Sequence, residues 1–146
     1  RRSSEKRQNE LVFKHMERKA LLDFLPTNFR HEKSFFIQNQ LTDFEKLSNL
    51  SDLEINEIQR KSPLCTSNNL KKIRAIAIFK KEIGISPREG YLLLHCGIGS
   101  IKSLSQSTPY ELERKIGRLE RSLRVKTKTN ITLTILKKWI KRANPV

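Results

Sequence analysis

The residues with the strongest claim to chemistry lie within 86–116, at Gly97-Ile98-Gly99-Ser100 and among the cations that follow. Two glycines one residue apart, at the end of an apolar run, let the backbone enter a left-handed turn and leave it again. Ser100 then starts a short helix. The first N–H groups of a helix have no carbonyl partner within it, and they carry the positive end of its dipole. The chemistry expected at Gly97, Gly99 and Ser100 is therefore anion binding through backbone amides, with a phosphate as the natural guest. Lys102 beside the corner, and Arg114, Lys115, Arg118 and Arg121 on the next helix, would neutralise neighbouring phosphates. Lys137, Lys138, Lys141 and Arg142 on the last helix would extend the footprint.

Catalysis needs converging groups, and the sequence assembles none. His15, His31 and His95 fall on three separate helical segments with no partner at ligand spacing. His95-Cys96 are neighbours on a helix, so their side chains diverge by about 100°. Cys65 stands far from Cys96, with no paired Cys-x-x-Cys to hold zinc. The carboxylates Glu45, Glu54, Glu89 and Glu111 are used as helix caps, and no nucleotide-binding glycine loop is present. The expectation is a non-enzyme with no metal, no cofactor and no small-molecule substrate.

The elements that must position the cations read as helices throughout. Ser86 caps, Pro87 suits the first helical position and Glu89 completes a capping box. Tyr91, Leu92, Leu93 and Leu94 then lead into Gly97. Thr108-Pro109-x-Glu111 starts the longest basic helix, whose Leu112, Ile116, Leu119 and Leu123 form one core stripe. The closing helix, about 132–143, turns Leu133, Leu136, Trp139 and Ile140 inward. Upstream, a helix of about 68–83 carries Leu70, Ile73, Ala77 and Phe79 and ends at Gly84. Thr42-x-x-Glu45 and Ser51-x-x-Glu54 start two short helices, and Thr27 or Asn28 caps one that runs through Phe35 and Phe36. Residues 4–25 read as an amphipathic helix with Leu11, Phe13, Met16, Ala20, Leu21 and Phe24 near one side. Val12 and Leu22 lie off that stripe, surface that a partner could cover. Tyr110 is the aromatic ring expected to stay exposed, whereas Phe35, Phe36 and Trp139 are expected in the core. No segment alternates with the period of a strand.

A shift of 57 residues aligns Ile37 with Leu94, Leu41 with Ile98, Phe44 with Ile101 and Leu47 with Leu104. The same shift aligns Ser51 with Thr108 and Glu54 with Glu111, so apolar positions and a capping box recur together. Gln40 stands opposite Gly97 and Thr42 opposite Gly99; the first copy thus lacks the glycines and is expected to pack, leaving the second to bind. Charge divides the same way. The net charge of +15 resolves into +4 over residues 1–20, −3 over 21–60 and +14 over 61–146. Folding needs no such asymmetry, which points to a polyanionic or acidic partner. The expected organisation is a basic, amphipathic helical extension over 1–27, a degenerate repeat over 28–62, and a connector helix with the second repeat and basic helices over 63–146.

The corner, Leu93-Leu94-x-x-Gly97-Ile98 followed by Ser100, resembles a helix-hairpin-helix motif, a backbone binder of nucleic acids that ignores sequence. Ser100 fits the slot after the second glycine, but Ile101 takes the next and Lys102 comes one place late, with Ile101 expected to face the core. With Ser103-Leu104-Ser105, Thr108-Pro109-x-x-Leu112 and Trp139-Ile140-x-x-Ala143, residues 29–143 resemble the proteins grouped as domain of unknown function 4332, common in photosynthetic bacteria. The resemblance implies an all-α fold: two tandem helix-hairpin-helix (SAM-like) units, an N-terminal helix and a C-terminal packing helix. Hairpin pairs of this kind bind DNA in repair enzymes, ribosomal proteins and polymerase subunits, or dock on large photosynthetic assemblies. Two functions follow as expectations. One is sequence-independent binding of a nucleic-acid backbone, DNA rather than RNA. The other is a structural subunit or docking adaptor whose basic face meets an acidic protein surface, an anionic membrane face or a large assembly such as a photosynthetic one. No stretch reaches the ~18 apolar residues of a membrane span, and no secretory leader core is present. The expected location is the cytoplasm, on the nucleoid, or the stroma if the source bears plastids.

Overall fold

In the computed structural model, residues 22, 25–122 and 131–144 are described. Among them the secondary structure is entirely helical. A 3-10 turn at Thr27–Phe29 precedes α1 (Arg30–Gln38), α2 (Phe44–Ser48), α3 (Asp52–Lys61) and α4 (Ser67–Ile83). Then come α5 (Pro87–His95), α6 (Ile101–Ser105), α7 (Pro109–Ser122) and α8 (Leu133–Ala143). Most of the anticipated caps are in place. The Ser51 hydroxyl accepts from the Glu54 amide at 3.1 Å while Glu54 Oε1 accepts from the Ser51 amide, a complete box. Ser86 accepts from the Glu89 amide with Pro87 following it. Two caps differ from expectation. Asp43, not Thr42, caps α2 by accepting from the Glu45 amide at 3.0 Å. Neither Thr27 nor Asn28 caps α1, whose N-cap is Phe29 with no side-chain bond. The Asn28 carbonyl instead accepts from Asn69 Nδ2 at 3.0 Å.

The 57-residue repeat is carried by the backbone. Helices α1, α2 and α3 begin at residues 30, 44 and 52, and α5, α6 and α7 begin at 87, 101 and 109. Both corners close by the same pair of bonds. The Ile98 amide donates to the Leu93 carbonyl at 2.9 Å and Gly97 to Leu94 at 3.1 Å; Leu41 donates to Phe36 at 2.8 Å and Gln40 to Ile37 at 3.2 Å. This is the six-to-one and five-to-two pattern of a Schellman stop, which needs a left-handed residue at its centre. Gly97 meets that need at φ 86, and Gln40 meets it at φ 57. The first corner therefore keeps its shape without glycine, by holding a side-chain residue in the left-handed region. Gln40 is solvent-exposed, so Gln40→Gly removes that backbone strain without opening a cavity. Relief of about 1 kcal/mol exceeds the extra chain entropy of glycine. We expect a net gain of about 0.5 kcal/mol, read as a melting temperature about 2 °C higher.

Two clusters of buried apolar side chains make the core. Phe29, Phe36, Leu47 and Ile55 sit in the first with Leu22 and Leu25; Leu93, Leu104, Leu112, Leu136 and Trp139 sit in the second. Helix α4 belongs to both. Its Leu70, Ile73, Ile76 and Ala77 face the first cluster, and its Phe79 and Ile83 the second. At Gly90, on α5, a Cβ would lie 3.6 Å from Ile76 and 3.7 Å from Phe79, so a small residue there lets α5 lie close to α4. Leu22, expected off the main apolar stripe, is buried against the first unit. Val12 and the stripe residues Leu11, Phe13, Met16, Ala20, Leu21 and Phe24 lie outside the described residues, as do Leu123 and Val125–Thr129.

One buried acid fastens α1 to α4. Glu32 is 1% exposed and accepts from the Thr66 amide at 3.3 Å and from Asn69 Nδ2 at 3.0 Å. Thr66 is the N-cap of α4, so the carboxylate sits at the positive end of that helix.

Candidate nucleic-acid interface

The glycine corner offers fewer amides than its sequence promises. Of the four N–H groups from Gly97 to Ser100, three are used internally. Gly97 and Ile98 donate to Leu94 and Leu93, and Ser100 donates to Ser103 Oγ at 3.1 Å. Ser103 in turn donates its amide to Ser100 Oγ, closing a capping box that the sequence does not announce, because its third residue is serine. Gly99 is exposed and its φ is not positive; a Cβ there would meet only Leu94, at 4.0 Å. Gly97 alone holds the left-handed backbone of this corner. Ile101 is partly buried against the second cluster, as anticipated.

The cations separate into distinct settings. Arg114, Arg118 and Arg121 project from α7 at i, i+4 and i+7, away from the buried Leu112 and Ile116. Lys115 and Arg118 line a groove of about 330 Å³ whose opposite wall is His95 and Cys96 at the end of α5, with Ser122 at its edge. Lys115 also pairs with Glu111 at 3.5 Å, an exposed contact between neighbouring turns. The groove is shallow and open, with two cations and the apolar Leu119 in its lining. Burial pushes the Cys96 thiol up, against the opposing pull of the Lys115 charge, so that wall of the cleft holds a neutral S–H. Burial likewise raises the Cys65 thiol, with the Glu32 carboxylate adding to it.

Helix α8 contributes unequally. Lys137 lies over the Tyr110 ring, 5.6 Å from its centroid, which leaves Tyr110 65% exposed yet tied to the closing helix. Lys138 and Lys141 are exposed. Arg142 is engaged in the fold instead. Its Nη1 donates to the Ile83 carbonyl at 2.9 Å, satisfying an orphan acceptor at the C-terminus of α4. We expect Arg142→Ala to lower stability in urea unfolding by about 1.5 kcal/mol, while Lys141→Ala stays within about 0.5 kcal/mol.

Lys102 does not join the α7 cations in their cleft. With Gly99 and Ser100 it lines a second groove, of about 660 Å³, against Lys71 and Arg74 of α4, Ser48 at the end of α2 and Leu50 beyond it. Lys71 and Arg74 carry no mark of this in the sequence, because α4 is remote in the chain from the residues they meet; His95, weighed in the sequence only as a ligand or catalyst, meets Lys115 and Arg118 instead. Among the described residues no cluster of His, Cys, Asp or Glu has the arrangement of a metal site, and no helix is long and apolar enough to cross a membrane.

A family model described as Domain of unknown function (DUF4332) matches residues 26–146, which takes in every helix described above. No curated protein and no solved structure matches the chain.

Proposed function

The chain belongs to the DUF4332 family, and we propose that it binds the phosphate backbone of nucleic acid, DNA in preference to RNA, without catalysis and with little regard to sequence. In this reading its two units are tandem helix-hairpin-helix modules of the SAM-like kind. The matched helix starts and the shared corner bonds support that assignment. The observation that carries the function is the basic flank of α7. Arg114, Arg118 and Arg121 face solvent with no acid partner among the described residues, and Lys115 and Arg118 line a cleft rather than a convex surface. One phosphate sits in that cleft between Lys115 and Arg118, and its neighbours meet Arg114, Arg121, Lys137, Lys138 and Lys141. The corner supplies the Gly99 amide and little more. Contacts of this kind fix position along a backbone but read no bases.

Fluorescence anisotropy tests the proposal, with a random-sequence duplex and an RNA hairpin titrated at several salt concentrations. About five neutralised phosphates on a duplex give a log–log slope of about −4.5. Submicromolar duplex binding with that slope is the expected result. Binding seen only at low salt, with a shallow slope for both polymers, would mean general attraction to a chain of net charge +15 and end the proposal.

A further inference from the structure

We propose that the second groove, between the two repeat units, is a docking site for an acidic amphipathic segment of a partner protein. It lies on elements other than the α7 flank and rests on different observations from the nucleic-acid reading. Its floor is the strip of α4 left over once both cores are filled. Ala75 and Ile78 form it, and Lys71, one turn earlier on the same strip, stands at its rim, so the groove follows about two turns of helix, roughly 10 Å. One wall is the end of α2 with Leu50; the other is the start of α6 with Ile101 and Lys102.

The groove combines two chemistries. Ala75, Ile78 and Ile101 are apolar and only partly buried, so water still reaches them. Lys71 and Lys102 stand on opposite sides, exposed, and pair with no acid among the described residues. Arg74 is not a free cation: it donates to Asp52 Oδ1 and to the Leu50 carbonyl, both at 2.9 Å, and braces the wall. A sugar-phosphate strand would satisfy the lysines but gain nothing from an apolar floor. A wholly apolar partner would dehydrate two ammonium groups with nothing to pair them. A segment with Leu, Ile or Phe on one face and carboxylates flanking it satisfies both, burying the floor and matching the charge. The contact is the size of a short motif, so micromolar affinity is expected.

The test selects ligands from a displayed library of random peptides, each about 12 residues long, on the full chain. The best binders, synthesised with a fluorescent label, are then measured by anisotropy. Ala75→Trp fills the groove from a partly exposed position; Lys71→Glu with Lys102→Glu reverses its rims while leaving the floor untouched. The expected result is enrichment of Asp and Glu around apolar residues spaced three or four apart, with affinity at least tenfold weaker in both variants. Duplex DNA binding should change less than twofold in Ala75→Trp. Selected peptides with no acidic enrichment, or equal binding to the filled and open grooves, would overturn the proposal. So would an equal loss of duplex and peptide binding in Ala75→Trp, since the groove would then belong to the nucleic-acid surface.

Discussion

Lys115→Glu combined with Arg118→Glu weakens duplex binding about 100-fold near 0.1 M salt and flattens the salt slope by about 1. The slope follows from counterion release, roughly 0.9 per phosphate no longer neutralised. The affinity follows from Coulomb's law at a wet surface. A unit charge near a phosphate is worth about 1 kcal/mol at 4 Å in water, and reversal changes it by two units. Two reversals thus remove about 3–4 kcal/mol before screening, and about 2.7 kcal/mol corresponds to 100-fold. The fold should survive. Both side chains are exposed, and the one ion pair lost among the described residues, Lys115 with Glu111, is a neighbouring-turn contact worth a few tenths of a kcal/mol. A matched control, Arg60→Glu with Lys61→Glu on α3, changes net charge equally but away from the cleft. If the control weakens binding as much as the cleft variant does, only the total charge matters and the α7 site is wrong.

The second large effect concerns the scaffold. Glu32→Ala should destabilise the protein by about 2–3 kcal/mol and lower its melting temperature by about 8–10 °C. Alanine strips the acceptor from the Thr66 amide and from one Asn69 amide hydrogen, and leaves a cavity where the side chain was fully covered. It also removes a negative charge from the N-terminus of α4. Opposing these losses is the relief of burying a carboxylate, which is why the figure is not larger. Glu32→Gln retains one acceptor oxygen and should cost about 1 kcal/mol. Asn69→Ala supplies the partner for a double-mutant cycle, in which the pair should couple by at least about 0.5 kcal/mol. An alanine cost below about 1 kcal/mol, or additive mutants, would mean that water substitutes freely and that the acid is no fastener.

The two corners show how far local signals reach. Schellman stops, caps and helix periods are settled within a few residues of chain, because the bonds that satisfy a helix end come from its own neighbours. Ser51, Ser86, Gly84 and Gly97 are legible for that reason, and the 57-residue repeat foretells matching helices on both sides of α4. Where two adjacent residues can serve, local signals choose wrongly. Thr42 and Asp43 are both good caps, and the path of the chain out of the first corner places Asp43 at the start of α2. Gln40 is harder still. Nothing about glutamine announces a left-handed backbone; the packing of Phe36 and Leu41 on either side of the corner imposes it.

Charge follows a different logic. An all-helical chain, its repeat, most of its helix ends and a strongly basic second half can all be read from the order of residues. Which cations share a cleft, which meet an apolar floor and which are consumed in the fold depends on how the helices pack. Lys115 and Arg118 meet His95 across α5 and α7; Lys102 meets Lys71 across α6 and α4; Arg142 is tied to the end of α4 through the Ile83 carbonyl. A helix end is satisfied by residues close along the chain, whereas an exposed charge acquires its surroundings from elements dozens of residues away, brought there by the burial of the two cores.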